Sequence, residues 1–221
     1  MTLALNYSKK LELNMQKKGV VNIPKMPVRI AVDCSGSMSN LYDIGWVEDM
    51  LVVFSGAAMT FDDNKALELG FFNSSVRKTL DITETNPAEG YIKRNRIHAD
   101  GGTRFVPILE EFAHPQQKKG FLSKLLGGDS TTNIGKSYLA IITDGDAGDR
   151  MEFKRRLSLI SKDVFVQIIG IGEDVPTAFL QELDDSYENV DFRYVENPHA
   201  LTQDQMLDLI ANEEFVEFIK D

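Results

Sequence analysis

Cysteine is nearly absent from this sequence of 221 residues, because Cys34 is the only one. A single thiol cannot form an intrachain disulfide, and it cannot supply the several thiolates of a cysteine-based zinc site. Long apolar segments are also lacking. No stretch approaches the roughly 20 apolar residues of a membrane-spanning helix, and residues 1–18 lack the apolar block of a signal peptide. These absences suit a reducing compartment, so we expect a cytoplasmic protein that makes no membrane contact.

Basic residues are fewer than acidic residues. The chain has 24 basic and 34 acidic residues, which gives a formal net charge of −10. Nucleic acids and anionic membrane surfaces are bound through Lys and Arg, so this balance argues against both as partners. Much of the acidity simply favours solubility. At 43% hydrophobic residues, the chain has enough apolar material to bury one substantial core.

Short apolar segments typical of strands alternate with helix-length segments from residue 28 onward. Asn73-Ser74-Ser75 separates two of these strands by a tight antiparallel turn. Alternating strands and helices predict an α/β fold with a doubly wound, mostly parallel central sheet, one antiparallel edge strand and helices on both faces. The predicted strands are 28–32, 66–72, 76–80, 138–143, 164–171 and 192–195. The predicted helices include one that contains Val47 to Phe61, a short one opened by Asn86-Pro87, and 104–112, 150–161, 176–183, 203–211 and 213–220.

Residues 1–25 are interpreted as an N-terminal helical extension and linker, and residues 26–221 as the main domain. Lys9 to Lys18 predicts a short helix ended by Gly19, and Pro24 and Pro27 mark the linker. The polar segment 115–136 predicts a surface insertion, with a helical turn at 121–126.

Two aspartates follow predicted strands. Asp33 ends the first strand and Asp144 follows the strand 138–143. Ligands of open α/β sheets bind at the carboxyl ends of the strands, so the two carboxylates face one crevice if their strands are neighbours. Ser35 and Ser37 can project towards the same crevice, and Thr103 follows two glycines that permit a close backbone approach.

Carboxylate and hydroxyl oxygens suit a hard cation. Few protein ligands and an expected share of waters favour Mg²⁺, with Mn²⁺ or Ca²⁺ as replacements. Each short motif taken alone is more often structural, because Asp after a strand commonly caps a helix and Ser-Gly-Ser or Gly-Gly-Thr is a common turn. Their occurrence together, in this order, favours a metal site.

The set Asp33-x-Ser35-x-Ser37, Thr103 and Asp144 resembles the metal-ion-dependent adhesion site (MIDAS) of von Willebrand factor A (vWA) domains, and matches it at all five positions. The resemblance implies a Rossmann-like vWA fold over about residues 26–221. It also implies a binding domain rather than an enzyme, in which a metal held by these five residues binds an Asp or Glu carboxylate of a protein partner. The interval between Thr103 and Asp144 is longer than usual in the family, and the insertion accounts for the excess.

A closer resemblance is to the vWA part of the TerF-type tellurite-resistance and stress-response proteins. It is carried by Phe61-Asp62-Asp63, by the segment 166–172 and by Glu213-Glu214-Phe215. Those proteins usually have Gly-Gly-Asn where this chain has Gly101-Gly102-Thr103, so the chain departs from the subfamily at one ligand position. The resemblance implies a role in tellurite resistance or stress response.

The motifs of three classes of enzyme are incomplete or absent in the sequence. Asp33 could be the nucleophile of a metal-dependent phosphatase, but the second Asp of the haloacid dehalogenase-like enzymes is replaced by Ser35. Gly135-Lys136-Ser137 resembles the end of a nucleotide-binding loop, yet it lacks the first glycine and leads into a strand. No Gly-x-Ser-x-Gly motif is present, and His98, His114 and His199 lie in predicted loops. Cys34 is expected to point away from the metal and to pack.

Overall fold

The sheet of the computed structural model, which describes residues 3–113 and 135–220, has six strands in the order β3-β2-β1-β4-β5-β6. All pairings are parallel except that of β2 with β3. The predicted doubly wound sheet with one antiparallel edge strand is therefore confirmed. The strands are β1 (Val28–Asp33), β2 (Leu67–Phe72), β3 (Val76–Lys78), β4 (Ser137–Thr143), β5 (Val164–Ile171) and β6 (Val190–Val195).

Helices cover both faces of the sheet. Side chains alternate along each strand, so Ile30 of β1 faces one apolar cluster and Ala31 faces the other. The first cluster includes side chains of α1, α3, α8 and α9, and the second includes those of α5, α6 and α7. The helices are α1 (Leu3–Lys17), α2 (Ser39–Asp43), α3 (Trp46–Phe61), α4 (Tyr91–Arg94), α5 (Val106–Ile108), α6 (Arg150–Leu157), α7 (Thr177–Ser186), α8 (Gln203–Ile210) and α9 (Glu213–Lys220).

The central strands are buried on both sides. Every residue of β1, β4 and β5 is buried, which explains why these segments are nearly continuous apolar runs rather than alternating ones. Helix α3 is also buried on more than one side, as its apolar residues predicted, because α1 and α8 pack on it while it packs on the sheet.

Several predicted boundaries were wrong. The helix predicted at Asn86-Pro87 is a turn, in which the Asn86 side chain donates to the Asp81 carbonyl, and α4 begins only at Tyr91. Helix 104–112 is replaced by the short α5 and a π-helical turn, Leu109–Ala113. The chain is still irregular at Arg104, whose amide donates to the Asn73 carbonyl. Strand β3 is shorter and β6 longer than predicted, α6 ends earlier and α7 later, and α2 was missed.

The N-terminal helix also differs from its prediction. It spans Leu3–Lys17 rather than Lys9 to Lys18, and Gly19, two residues after its end, has a φ of 84°. Leu11 and Met15 are fully buried in the same cluster as the α3 side chains. The helix is therefore packed on the domain core. The predicted insertion, residues 115–136, lies almost entirely outside the described residues, as does its predicted turn at 121–126.

Among the described residues, no single helix is long and apolar enough to cross a membrane. Only residues 36–43 and Trp46–Phe61 taken together meet the length and composition of such a span, and they are bent by 78°.

Helix α1 crosses α3 at Gly56 with almost no space between the two backbones. A Cβ at this position would lie 2.6 Å from Tyr7 Cβ and 2.9 Å from the Ala4 carbonyl oxygen. Next to this crossing, the hydroxyls of Ser8 and Thr60 are 2.9 Å apart and buried. The absence of a side chain at position 56 is what permits α1 to pack here.

We predict that Gly56→Ala destabilises the protein by about 1–3 kcal/mol, the usual effect of overpacking a well-packed contact. The intrinsic helix preference of alanine acts in the opposite direction by about 1 kcal/mol. Urea unfolding measures the change. Gly148→Ala is the matched control, because no atom lies within 4 Å of a Cβ there. A Gly56→Ala variant as stable as wild type would show that α1 is not packed tightly on α3.

Candidate metal site

The two predicted aspartates lie at the same edge of the sheet. β1 pairs directly with β4, and Asp33 is the last residue of β1 while Asp144 directly follows β4. The neighbour relation on which the site prediction depended is therefore present. After Asp33 the chain turns through a 3₁₀ turn, Gly36–Met38.

Two backbone contacts bring the Thr103 loop to this edge. The Gly36 amide donates to the Gly101 carbonyl at 3.1 Å, and the Asp100 amide donates to the Cys34 carbonyl at 2.7 Å. Gly101 has a φ of 72°, a conformation that glycine adopts without strain. The loop that carries Gly101 and Thr103 is distant in sequence from the loop after β1. These two contacts fix the loops against each other.

Contacts link four of the predicted residues. Ser37 Oγ donates to Asp144 Oδ1 at 2.8 Å and lies 3.2 Å from Ser35 Oγ, and the Ser35 amide donates to Asp33. Gly145 lies beside both Ser37 and Thr103, because a Cβ added to it would lie 3.8 Å from Ser37 Oγ and 3.9 Å from Thr103 Oγ1, in van der Waals contact with each. The position that such a Cβ would take, at the end of β4, is the gap between the hydroxyls of Ser37 and Thr103.

The Asp33 carboxylate is fully buried and held by two donors. Its Oδ1 accepts the Ser35 amide at 2.7 Å, and its Oδ2 accepts the Thr143 hydroxyl at 2.6 Å. Burial raises the pKa of this carboxyl, although the hydrogen bonds from Thr143 and Ser35 lower it in part. The role of Thr143 in fixing Asp33 was not predicted from the sequence.

Burial also raises the pKa of Asp144, the hydrogen bond from Ser37 opposes this, and the negative charge of Asp174 raises it further. Within the described part of the chain, neither Asp33 nor Asp144 has a Lys, Arg or His nitrogen within 4.0 Å. Two partly desolvated carboxylates without a cationic partner are unfavourable by themselves and favour a bound cation.

The donor set consists of two carboxylates and three hydroxyls, all of them oxygen. No group of three or more His, Cys, Asp or Glu residues suitable for a metal occurs in residues 3–113 and 135–220, so softer nitrogen and sulfur sites are not offered there. The gap beside Gly145, the uncompensated carboxylates and the oxygen donors together fit a hard divalent cation.

Cys34 lies between two of these residues but is not suited to react. It is half-buried and packs against the core, as predicted. Burial raises the pKa of its thiol to about 11, and the charges of Asp33 and Asp100 add to the effect. The thiol therefore stays protonated and is a poor nucleophile near neutral pH.

Lys136, from the motif that resembles a nucleotide-binding loop, lies at the opposite end of β4 from Asp144. Lys136 directly precedes β4, and its ammonium donates to the Phe218 carbonyl and lies over the Phe218 ring, which is not the geometry of a phosphate-binding loop. His98 and His199 are exposed, and His199 lies in the 3₁₀ turn Pro198–Ala200. His114 lies outside the described residues.

Two structural contacts near the site were not predicted. The Asp149 carboxylate accepts the amides of Phe105 and Val106 at 2.9 and 3.0 Å, and so fixes the start of α5. The Tyr42 hydroxyl donates to the Asp33 carbonyl at 2.8 Å. Both join segments that are distant in sequence, and no local pattern marks them.

A Rossmann-like sheet in this strand order, with Asp33 and Asp144 at the ends of its two central strands, defines a vWA-type domain. The chain belongs to the vWA-TerF-like family, described as the vWA found in the TerF C terminus, whose profile matches residues 25–221. It is similar to the uncharacterized protein YcbR of Bacillus subtilis (strain 168), with 26% identity over 216 residues, covering 93% of this chain and 82% of that protein.

Solved structures share the fold at low identity. A von Willebrand factor type A protein from Catenulispora acidiphila matches with a TM-score of 0.56 and 18% identity, and the alignment covers 84% of this chain and 42% of that chain. Proximal thread matrix protein 1 from the mussel byssus, in a structure described as having a zinc-occupied MIDAS motif, matches with a TM-score of 0.55 and 14% identity. That alignment covers 90% of this chain and 51% of the mussel chain.

We predict that Thr143→Val destabilises the metal-free protein by about 1–3 kcal/mol at pH 7, because it leaves an oxygen of the buried Asp33 carboxylate without its donor. Thr143→Ser is the control, since it retains the hydroxyl. The loss should shrink as the pH falls, because the folded-state pKa of Asp33 is already raised and protonation removes the unsatisfied charge. Urea unfolding in EDTA at pH 5 and pH 7 measures both effects. Equal stability of the Val and Ser variants would contradict this role of Thr143.

Proposed function

We propose that this domain binds a divalent cation, Mg²⁺ in the first place, on Asp33, Ser35, Ser37, Thr103 and Asp144. The observation that carries the proposal is that these oxygen-bearing residues lie together at the carboxyl ends of β1 and β4, where contacts link Asp33 to Ser35, Ser35 to Ser37 and Ser37 to Asp144, with Thr103 beside Ser37. Mn²⁺ and Ca²⁺ are the alternative ions for such oxygen donors. The set is a complete MIDAS in this proposal, with Thr103 at the position where TerF-type proteins usually have Asn.

The proposed role is to bind a protein partner through an acidic side chain. A bound dication supplies a coordination position that an external Asp or Glu carboxylate can occupy. Asp33 and Asp144 together offset the two positive charges, and Ser35, Ser37 and Thr103 add neutral oxygens only. Because the hydroxyls add no negative charge, an incoming carboxylate is not repelled by a surplus of anionic ligands.

The chain's own contacts keep the donors in place before any ligand arrives. Thr143 and the Ser35 amide orient Asp33, Ser37 orients Asp144, and the Gly36–Gly101 contact fixes the Thr103 loop. Such prior ordering lowers the entropic cost of binding. The mussel byssus protein, whose structure is described as having a zinc-occupied MIDAS motif, supports metal binding at this position of the fold.

We also propose a cellular role and location for this protein. The family description places related vWA domains in TerF, which supports a role in tellurite resistance or stress response. The single cysteine supports a cytoplasmic location, and the net charge of −10 supports a protein partner rather than nucleic acid or a membrane.

A metal-dependent phosphatase is the alternative function, and the site does not favour it. Residue 35 is a serine whose hydroxyl lies against Ser37, so no second carboxylate stands two residues after Asp33. Asp33 itself accepts one hydrogen bond on each oxygen. These bonds lower its nucleophilicity towards a phosphoryl group and still leave lone pairs for a cation. We therefore propose a binding domain without catalysis.

We predict one Mg²⁺ or Mn²⁺ site in isothermal titration calorimetry. Asp33→Ala should abolish binding, since it removes one of the two charged ligands, and Asp144→Asn should weaken it at least tenfold. Gly145→Ala should also weaken binding, because its methyl group enters the gap between Ser37 and Thr103. Asp185→Asn, an exposed residue near the end of α7, is the matched control. Saturable binding that survives Asp33→Ala would exclude this site.

We predict that proteins captured by the immobilised domain are retained in Mg²⁺, released by EDTA and recovered when Mg²⁺ is restored. Thr103→Ala should reduce recovery without unfolding the domain, because a loop hydroxyl contributes little to the core. Thr85→Ala is the matched control at an exposed loop position. Quantitative mass spectrometry of the captured proteins is the measurement. An identical set of partners under EDTA and with Thr103→Ala would mean that binding uses another surface.

A further inference from the structure

The acidic side chains near the proposed metal site fall into two groups. Asp146 pairs with Arg150, and Asp149 pairs with Arg104 at 3.5 Å, so these two carboxylates are compensated within the chain. Asp100 and Asp174 are exposed, and neither has an ion-pair partner among the described residues. Ion pairs therefore offset the charges of Asp146 and Asp149, whereas the charges of Asp100 and Asp174 are not offset by an ion pair among the described residues.

Asp100 is close to the site and fixed in position. Its amide donates to the Cys34 carbonyl at 2.7 Å, and its Oδ1 accepts from the Asn73 side chain at 2.9 Å. Asn73 directly follows β2, and Cys34 directly follows β1. Asp100 therefore lies on the β2 side of the five ligand residues, and it is held there by hydrogen bonds rather than by a basic group.

Asp174 lies on the other side. It belongs to the loop after β5, the strand that neighbours β4. The β4–β5 register pairs Thr143 with Gly170, so the loop that carries Asp174 leaves the sheet beside Asp144. Given the strand order β2-β1-β4-β5, the two unpaired carboxylates lie on opposite sides of the gap between Ser37 and Thr103.

This arrangement conflicts with a simple acidic partner. A dication is already offset by Asp33 and Asp144, so Asp100, Asp174 and the partner's own carboxylate would leave three negative charges close together. Like charges at such an interface oppose binding, and the formal charge of −10 on the whole chain adds a longer-range repulsion. The partner must bring positive charge together with its carboxylate.

We propose that the partner's metal-binding Asp or Glu is flanked on both sides by Lys or Arg side chains, which pair with Asp100 and Asp174. The inference rests on the proposed function and specifies which acidic proteins qualify. The metal would bind the partner's carboxylate, and Asp100 and Asp174 would pair with the basic side chains next to it. Acidic segments without basic neighbours are rejected by the same charges, so the surface discriminates between partners as well as binding them.

Three capped heptapeptides test the proposal by NMR titration in Mg²⁺. The first is Lys-Lys-Gly-Glu-Gly-Lys-Lys, the second has Ser in place of every Lys, and the third has Gln in place of Glu in the Lys-flanked sequence. We expect the Lys-flanked Glu peptide to bind about fivefold more tightly than the Ser-flanked one at low salt. The difference should decrease in 0.5 M NaCl, because exposed charges are screened.

Two variants connect the preference to the named residues. The double variant Asp100→Asn with Asp174→Asn should remove the preference for Lys flanks, because it weakens binding of the Lys-flanked Glu peptide and strengthens binding of the Ser-flanked one. Asparagine at position 100 retains an oxygen for the Asn73 side chain. Asp185→Asn, at the far end of α7, is the matched control and should retain the preference. Calorimetry with Mg²⁺ alone shows whether each variant still binds the metal.

The outcomes separate this inference from the proposed function. Equal binding of Lys-flanked and Ser-flanked Glu peptides overturns the inference and leaves the metal–carboxylate function standing. Equal binding of the Glu and Gln peptides with Lys flanks shows that charge attraction alone is at work, and overturns the proposed function. No chemical-shift change from the Lys-flanked Glu peptide at millimolar concentration overturns the inference as well. A preference that persists in the double variant assigns the selection to other residues.

Discussion

The parallel pairing of β1 with β4 determines where every other feature of the site can lie. The pairing places the end of β1 beside the end of β4, so Asp33 meets Thr143 and the loop after Asp33 meets Asp144. The hydrogen bond from Thr143 to Asp33 is the link, because it joins the two strand ends and fixes the most deeply buried carboxylate. Without this register, Ser37 could not reach Asp144 and would not lie beside Gly145.

Much of the fold could be predicted, and so could the meeting of Asp33 and Asp144 at one edge of the sheet, because both follow local patterns. Strand runs alternate with helix-length segments, and Asp33, Ser35 and Ser37 form one short motif. Features that depend on long-range contacts could not be predicted. No sequence pattern near Arg104 indicates that its amide donates to the Asn73 carbonyl. This contact keeps Arg104 out of the helix, so α5 begins only at Val106. Likewise, no sequence pattern indicates that the first turns of α1, at Ala4 and Tyr7, pack against Gly56 of α3.

The balance between charged and neutral ligands has an electrostatic meaning. Only two of the five residues are ionisable, and both are partly withdrawn from water, which makes them costly to leave charged and alone. Hydroxyls at the other three positions leave the site without surplus negative charge when a dication is present. In the proposed function, the acidic residues around the site would act at longer range, on the approach of a partner rather than on the ion.

The crossing of α1 over Gly56 has an evolutionary consequence. Glycine is a poor residue for the middle of a helix, so it persists at position 56 only while another backbone occupies the space beside it. The family profile begins at residue 25, after α1 has ended, so the family pattern itself does not include this helix. A relative without an equivalent of α1 would have no backbone against position 56, so a larger residue would be tolerated there. The identity of that one residue is then a marker, readable from sequence, of whether a helix packs there.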